Sequence, residues 1–161
     1  MGFSIEVSGL EELQGKMQQL GEKAQDIAAL GLYDGAGVMA DAVSGAVQGI
    51  ATEPFHYVKG GRKRKPSPEE KALLAGAKHG VAKFRKNGVS VQTSVGLQNS
   101  GYGMLGNKMK PVPQIANAIN SGTSFMSKQP FFRRAVSKAQ GAATAAIEGG
   151  IQSRIDEFDL G

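Results

Sequence analysis

At 161 residues the chain suits one hydrophobic core, and its 40% hydrophobic content permits a buried interior. With 6% aromatics, no Trp and 23 glycines, that interior has to be built from aliphatic and small side chains, and the lack of cysteine excludes disulfides, thiolate nucleophiles and cysteine-based zinc sites. The net charge of +5 is unevenly placed: residues 59–86 hold ten cations against Glu69 and Glu70, a local +8, which leaves −3 for everything else.

Phe3, Ile5 and Val7 alternate with polar residues, the period of a half-buried strand. Ser8-Gly9-Leu10-Glu11 has capping-box spacing, so a helix with Leu10, Leu13, Met17 and Leu20 on one face is expected to run to about Gly21. A long helix follows over 25–50, with Tyr33, Ala36, Ala40, Val43, Val47 and Ile50 as its stripe and Pro54 as its stop. Its glycines weaken it by up to ~1 kcal/mol each but let another backbone approach closely.

Residues 55–65 read as an exposed loop ending in Arg62-Lys63-Arg64-Lys65, with too little apolar surface to order 59–66 before assembly. Ser67-Pro68-Glu69-Glu70 starts a short helix that Gly80 is expected to end, so a basic loop-helix insertion occupies about 55–80 of a single domain, 1–161. Asn87-Gly88 predicts a tight hairpin between 81–86 and 89–97, with Lys86 opposite Val89, Phe84 opposite Val91 and Ala82 opposite Thr93. Ala82, Phe84, Val89, Val91, Thr93 and Val95 then form its core face, and Lys83 and Arg85 its other face.

The Gly-rich, Pro-bearing stretch 98–113 reads as a loop, and the apolar run Ile115, Ala116, Ala118, Ile119 as a short strand closed by Gly122-Thr123. Pro130 starts a final helix over 131–158 with Val136, Ala139, Ala143, Ala146, Ile147, Ile151 and Ile155 buried. No internal repeat is visible. The fold class that follows is α+β: a small antiparallel sheet, formed by the hairpin with the amino-terminal and 115–119 strands, is packed by two long helices, with a short inserted helix beside them.

Candidate chemistry is sparse. Gly101-Tyr102-Gly103-Met104-Leu105-Gly106 matches the dinucleotide fingerprint, but the prolines that follow leave no helix at the third glycine to face a phosphate. Gly35 to Ala40 is a near match inside a helix, where small-residue packing explains it. His56 and His79 lack acids spaced as metal partners, and Asp156, Glu157 and Asp159 suit a solvated helix end. No nucleophile, base and charge stabiliser come together, so no enzymatic activity, metal or cofactor is expected. Arg62, Lys63, Arg64, Lys65, Lys83 and Arg85 form either a solvated patch or a contact to DNA phosphates without sequence reading. Of Phe131 and Phe132, one is expected in the core and one as a subunit-interface anchor, beside Arg133 and Arg134. The start lacks a secretory leader, no stretch approaches the ~18 apolar residues of a membrane span, and Glu6 stands where a myristoylation motif needs Ser or Thr, so a soluble, unprocessed chain without membrane contact is expected.

Gly122, Thr123, Pro130, Phe131 and Ala135 resemble the closing motif of the tail-completion or neck proteins of long-tailed bacteriophages, where a Glu-aromatic-Gly-Thr strand end precedes a Pro-Phe helix start. Asn120 and Ser121 stand where that pattern has the acid and the aromatic, and Arg134 where a second proline is common. Residues 5–13 resemble the family's opening strand, Gly-Leu step and helix. The resemblance implies a structural virion protein of the head-tail junction, made in the host cytoplasm. It implies a homo-oligomeric ring around double-stranded DNA that meets a head-side connector on one face and a tail-terminator or tail-tube protein on the other. The alternative from composition is a basic, non-sequence-specific nucleic-acid-binding accessory protein.

Overall fold

The computed structural model describes residues 2–6, 23–81, 85–86, 91–98 and 101–159. The expected helix between Ser8 and Gly21, the Asn87-Gly88 turn, and Ala82, Lys83, Phe84 and Val89 lie outside them. The fold is α+β, as its sequence implies: two long helices and a small antiparallel sheet.

Strand β4 (Val91–Gln98) is the centre of the main sheet. It pairs antiparallel with β1 (Gly2–Glu6) and with β2 (Lys78–Val81) and β3 (Arg85–Lys86). Ile5 lies opposite Thr93 and Val81 opposite Val95. The hairpin register differs from expectation, since Lys86 pairs with Val91 rather than Val89, so residues 87–90 all lie between the paired strands. Thr93 and Val95 are buried as the alternation required.

Helix α1 (Ala24–Gln48) ends at Gly49, ahead of Pro54. Lys71 makes that early stop affordable in hydrogen bonds, because its Nζ donates to the carbonyls of Gln48 at 2.7 Å and Ile50 at 3.1 Å. Helix α2 (Pro68–Gly76) starts at Ser67 as expected, and its cap is a full capping box, with the Glu70 amide donating to Ser67 Oγ and the Ser67 amide to the Glu70 carboxylate. It ends at Gly76 rather than Gly80, because Lys78 to Val81 are drawn into pairing with β4.

Two further elements correct the sequence reading. The stretch 98–113 holds a hairpin, β5 (Tyr102–Leu105) and β6 (Lys108–Pro111), turned at Gly106 with φ 61°. The expected 115–119 strand is instead part of helix α3 (Val112–Ser121). Pro113 falls in its first turn, where a missing N–H is harmless, and Ile115, Ala116, Ala118 and Ile119 form one buried helical face. Gly122, at φ 78°, lets the chain leave α3.

Helix α4 (Phe131–Asp159) receives its start from α3, since the Phe132 amide donates to Asn120 Oδ1 at 3.1 Å. Gln129 clasps the chain beyond α1, its side chain accepting from the Ala51 amide at 2.9 Å and donating to the Ala51 carbonyl at 2.8 Å. Helices α1 and α4 therefore run antiparallel. Gly31 and Gly35 seat Ile151 and Ile147 against the α1 backbone, and a Cβ at Gly35 would also lie 2.8 Å from the Ala143 carbonyl. This contact turns the α1 face away from the expected stripe at one position: Ala36, Ala40, Val43, Val47 and Ile50 are buried, but Tyr33 is 53% exposed.

The interior is aliphatic throughout the shaft formed by α1 and α4, with Ile27, Leu32, Ile147, Ile151 and Ile155 at one end and Ala36, Met39, Ala40, Ala143 and Val95 mid-way. At the other end Val43, Val47, Leu74, Ile115, Ile119, Met126, Phe131 and Phe132 close a larger cluster, here called the head. Leu74 is fully buried there, so the 55–80 segment is built into the core rather than appended to it.

The close approach sets the stability of the shaft. Gly35→Ala should lower stability by about 1–3 kcal/mol through overpacking, whereas Gly141→Ala, where an added Cβ meets nothing within 4 Å, should raise it by roughly 0.5–1 kcal/mol. Thermal unfolding followed by circular dichroism checks both, and equal effects at the two glycines would contradict the packing.

Candidate functional site

The basic run is extended, so its side chains alternate. The Arg64 amide donates to the Phe125 carbonyl at 2.9 Å and the Ser127 amide returns a bond to the Arg64 carbonyl at 2.9 Å, a single parallel bridge that holds Arg64 inward and leaves Lys63 and Lys65 exposed. Glu53 adds to this hold, accepting from the Lys65 amide at 2.5 Å and donating its own amide to the Pro66 carbonyl. The expectation that 59–66 waits for assembly to be held therefore fails at Arg64, Lys65 and Pro66.

Arg64 is 2% exposed and meets Glu70, equally buried, in a two-pronged pair: Nη1 to Oε2 at 2.8 Å and Nη2 to Oε1 at 2.6 Å. Its guanidinium carbon lies 5.0 Å from the Phe55 ring centre and 5.9 Å from that of Phe125. The Ser67 amide and the Gly106 amide complete the carboxylate shell at 2.9 and 3.0 Å. Burial alone pushes the Glu70 carboxyl up, but the Arg64 guanidinium and the two amides outweigh it and hold the group below the ordinary 4.5. Arg64 is thus a structural residue, and it leaves the set of candidate phosphate contacts.

The other sequence candidates separate. Arg62, Lys63 and Lys65 are exposed. Arg85 sits in β3 with its backbone opposite Gln92, and Lys83 is outside the described residues. Phe131 and Phe132 are both 7% exposed, so neither is the free anchor expected of one of them; α4 opens directly onto the head cluster, which takes both rings. Arg133 and Arg134 are exposed beside them. His56 lies in the exposed loop with Nδ1 3.0 Å from the Pro54 carbonyl. The Gly101–Gly106 pattern is a strand and turn, and its last glycine donates its amide to Glu70.

Sequence reasoning missed three cations that the fold brings to the same end. Lys108 and Lys110 stand on β6, where together with Gln114, Asn117 and Phe125 they line an open groove of about 710 Å³ between the hairpin and α3. Lys128 is exposed in the turn before α4. The Lys-Met-Lys alternation after Gly106-Asn107 was the available signal, hidden by reading this stretch as a loop.

Charge is consequently sorted between the head and the two shaft helices, although Arg85 and Lys86 on β3 pair along β4 beside Val91, which packs on the far end of the shaft. The head segments 49–77 and 101–130, with the first half of α4 to residue 144, carry twelve cations against three acids, a net +9. The rest of the shaft, 23–48 and 145–159, carries seven acids against two cations, a net −5. The head is suited to attract anions by charge. Among the described residues no three His, Asp or Glu side chains converge as metal ligands, and no described helix is long and apolar enough to cross a membrane. Set against protein-family models, curated proteins and solved structures, the chain matches none.

Removing one partner of the buried pair strands the other charge, so Arg64→Ala or Glu70→Ala should cost about 3–5 kcal/mol, while Arg62→Ala and Lys63→Ala should stay within about 0.5 kcal/mol. Because the folded-state pKa of Glu70 is depressed, its stabilisation is fully present above the ordinary 4.5 and lost as pH falls through the folded value. Denaturant titrations of the four variants, with the parent repeated from neutral into acid, check the ranking and the sign. Equal losses at Arg62 and Arg64 would remove the structural role from Arg64.

Proposed function

We propose that this chain is a structural subunit of the bacteriophage head-tail junction, assembling as a closed ring around the DNA path between a head-side connector and the tail. The observation that carries the reading is the sorted charge of the fold. A subunit with one strongly basic end and one acidic end fits both a polyanion on the ring axis and neighbours arranged in one sense around it.

The opening and closing motifs support the same reading. In the fold, Gly122 provides the turn out of α3, Pro130 precedes α4, and Phe131 and Ala135 are buried in the head, so the matched residues are those that shape the helix start. The chain acts by shape and charge rather than by catalysis, and the virion is its place of action. Arg62, Lys63 and Lys65 stay as phosphate contacts, Lys108, Lys110 and Lys128 join them from the fold, Arg64 leaves the set, and Lys83 and Arg85 remain candidates.

Electron microscopy of the purified protein should show annular particles. Binding to duplex DNA should be sequence-independent and fall on the order of a thousandfold between 50 and 200 mM salt for about six phosphate contacts, with a shallower slope when Arg62, Lys63 and Lys65 are neutralised. Monomers that keep this salt-dependent binding would favour an accessory nucleic-acid-binding protein, the reading its exposed cations also permit. Rings with no DNA affinity would confine the role to assembly.

A further inference from the structure

A second open groove, of about 500 Å³, lies between the end of α1 and the start of α4. Small residues, Ala42, Gly45 and Ala46 from α1 and Ala135 from α4, line much of it, Ile50, Gln129 and Phe131 line its head end, and its rim carries Arg134 and Lys138, both exposed. At Gly45 an added Cβ meets nothing within 4 Å, so the floor is open space rather than a closed helix contact. No acid occurs between 131 and 144 on α4, and the acid nearest the groove on α1 is Asp41, exposed one turn from Gly45.

The opposite end of the same helix pair has the complementary chemistry. Asp156 and Glu157 are exposed on the last turns of α4, and Phe158 follows them, 41% exposed, with Lys23 Nζ 5.3 Å from its ring centre. The cation nearest in sequence, Arg154, is already occupied by Asp34 at 2.8 Å. An aromatic ring beside carboxylates is thus presented at one end, and a groove flanked by cations at the other.

We infer that the acidic, Phe158-bearing end of α4 in one copy docks into the Arg134–Lys138 groove of a second copy of this chain. The two surfaces cannot meet within one molecule, because they lie on one continuous helix and the stretch from Arg134–Lys138 to Asp156–Phe158 spans about 30 Å at 1.5 Å per residue. Neither surface can pair with itself, since groove on groove would oppose cations and end on end would oppose carboxylates. The contact therefore runs in one direction from copy to copy, and such a contact closes into a ring when its rotation allows. Phe158 supplies an apolar anchor that the groove beside Ile50 and Phe131 has room to accept, and the four charges fix its orientation. The inference rests on the ring reading and assigns that ring its subunit contact.

Native mass spectrometry and sedimentation of the full chain at fixed concentration test it. Arg134→Glu with Lys138→Glu, and separately Asp156→Lys with Glu157→Lys, should each weaken self-association by roughly tenfold or more through like-charge opposition. The chain carrying all four reversals should recover it. Gly45→Phe, which fills the groove without touching the described interior, should abolish association while circular dichroism and thermal unfolding stay as in the parent. Particles of unchanged size from both double variants and from Gly45→Phe would overturn this contact and leave a ring built through another surface. A parent chain that stays monomeric would overturn the ring reading itself, and this contact with it.

Discussion

The Arg64–Glu70 pair puts two full charges into the interior of the head, where each is tolerable only if its hydrogen-bonding capacity is met. Meeting it recruits four separate parts of the chain. Glu70 comes from the first turn of α2 and also closes that helix's capping box through the Ser67 amide. Gly106 contributes the amide at the tip of the β5–β6 hairpin, Phe55 and Phe125 contribute the rings beside the guanidinium, and the backbone at 125–127 holds Arg64 in place. The hairpin tip, the loop after α1, the start of α2 and the turn before α4 are each positioned by one ion pair. A hydrophobic pair of the same volume has no such directional demand, so the charges specify an arrangement rather than merely add stability.

That arrangement decides what the surface offers. With Arg64 turned inward, the neighbouring Lys63 and Lys65 are turned outward by the alternation of an extended chain. Folding the hairpin back on α2, where Gly103 packs against Leu73, brings Lys108 and Lys110 to the same end of the molecule. Apart from Asp41, the acids of α1 and α4 meanwhile fall toward the far end of the pair, where the antiparallel helices are closely packed through Gly31 and Gly35. An uneven linear charge pattern becomes a polarised body, and both the anion-binding and the copy-to-copy readings draw on that polarity.

Much of the local structure was legible in the chain. The long helices, the helix start at Ser67, the amino-terminal strand and β4 all follow from local periodicity and cap chemistry, which operate over one or two turns and need no distant partner. The misreadings share a cause. Ile115 to Ile119 is too short an apolar run for its period to separate strand from helix, and Pro113 marks a helix start only once the helix is known. The hairpin register depended on a turn inferred from Asn87-Gly88 alone, whereas pairing along β4 sets Lys86 opposite Val91.

By itself the sequence determined the fold class, the aliphatic character of the core and the concentration of cations before the hairpin, because these depend on composition and on spacing within single elements. Only the tertiary structure decided which cation is buried, that both Phe131 and Phe132 are core, and that Lys108, Lys110 and Lys128 join the basic end. Those outcomes turn on contacts between residues far apart in the chain. Arg64 and Lys63 are equivalent as letters, and only the arrival of Glu70, Gly106 and Phe125 around one of them makes burial of its charge tolerable.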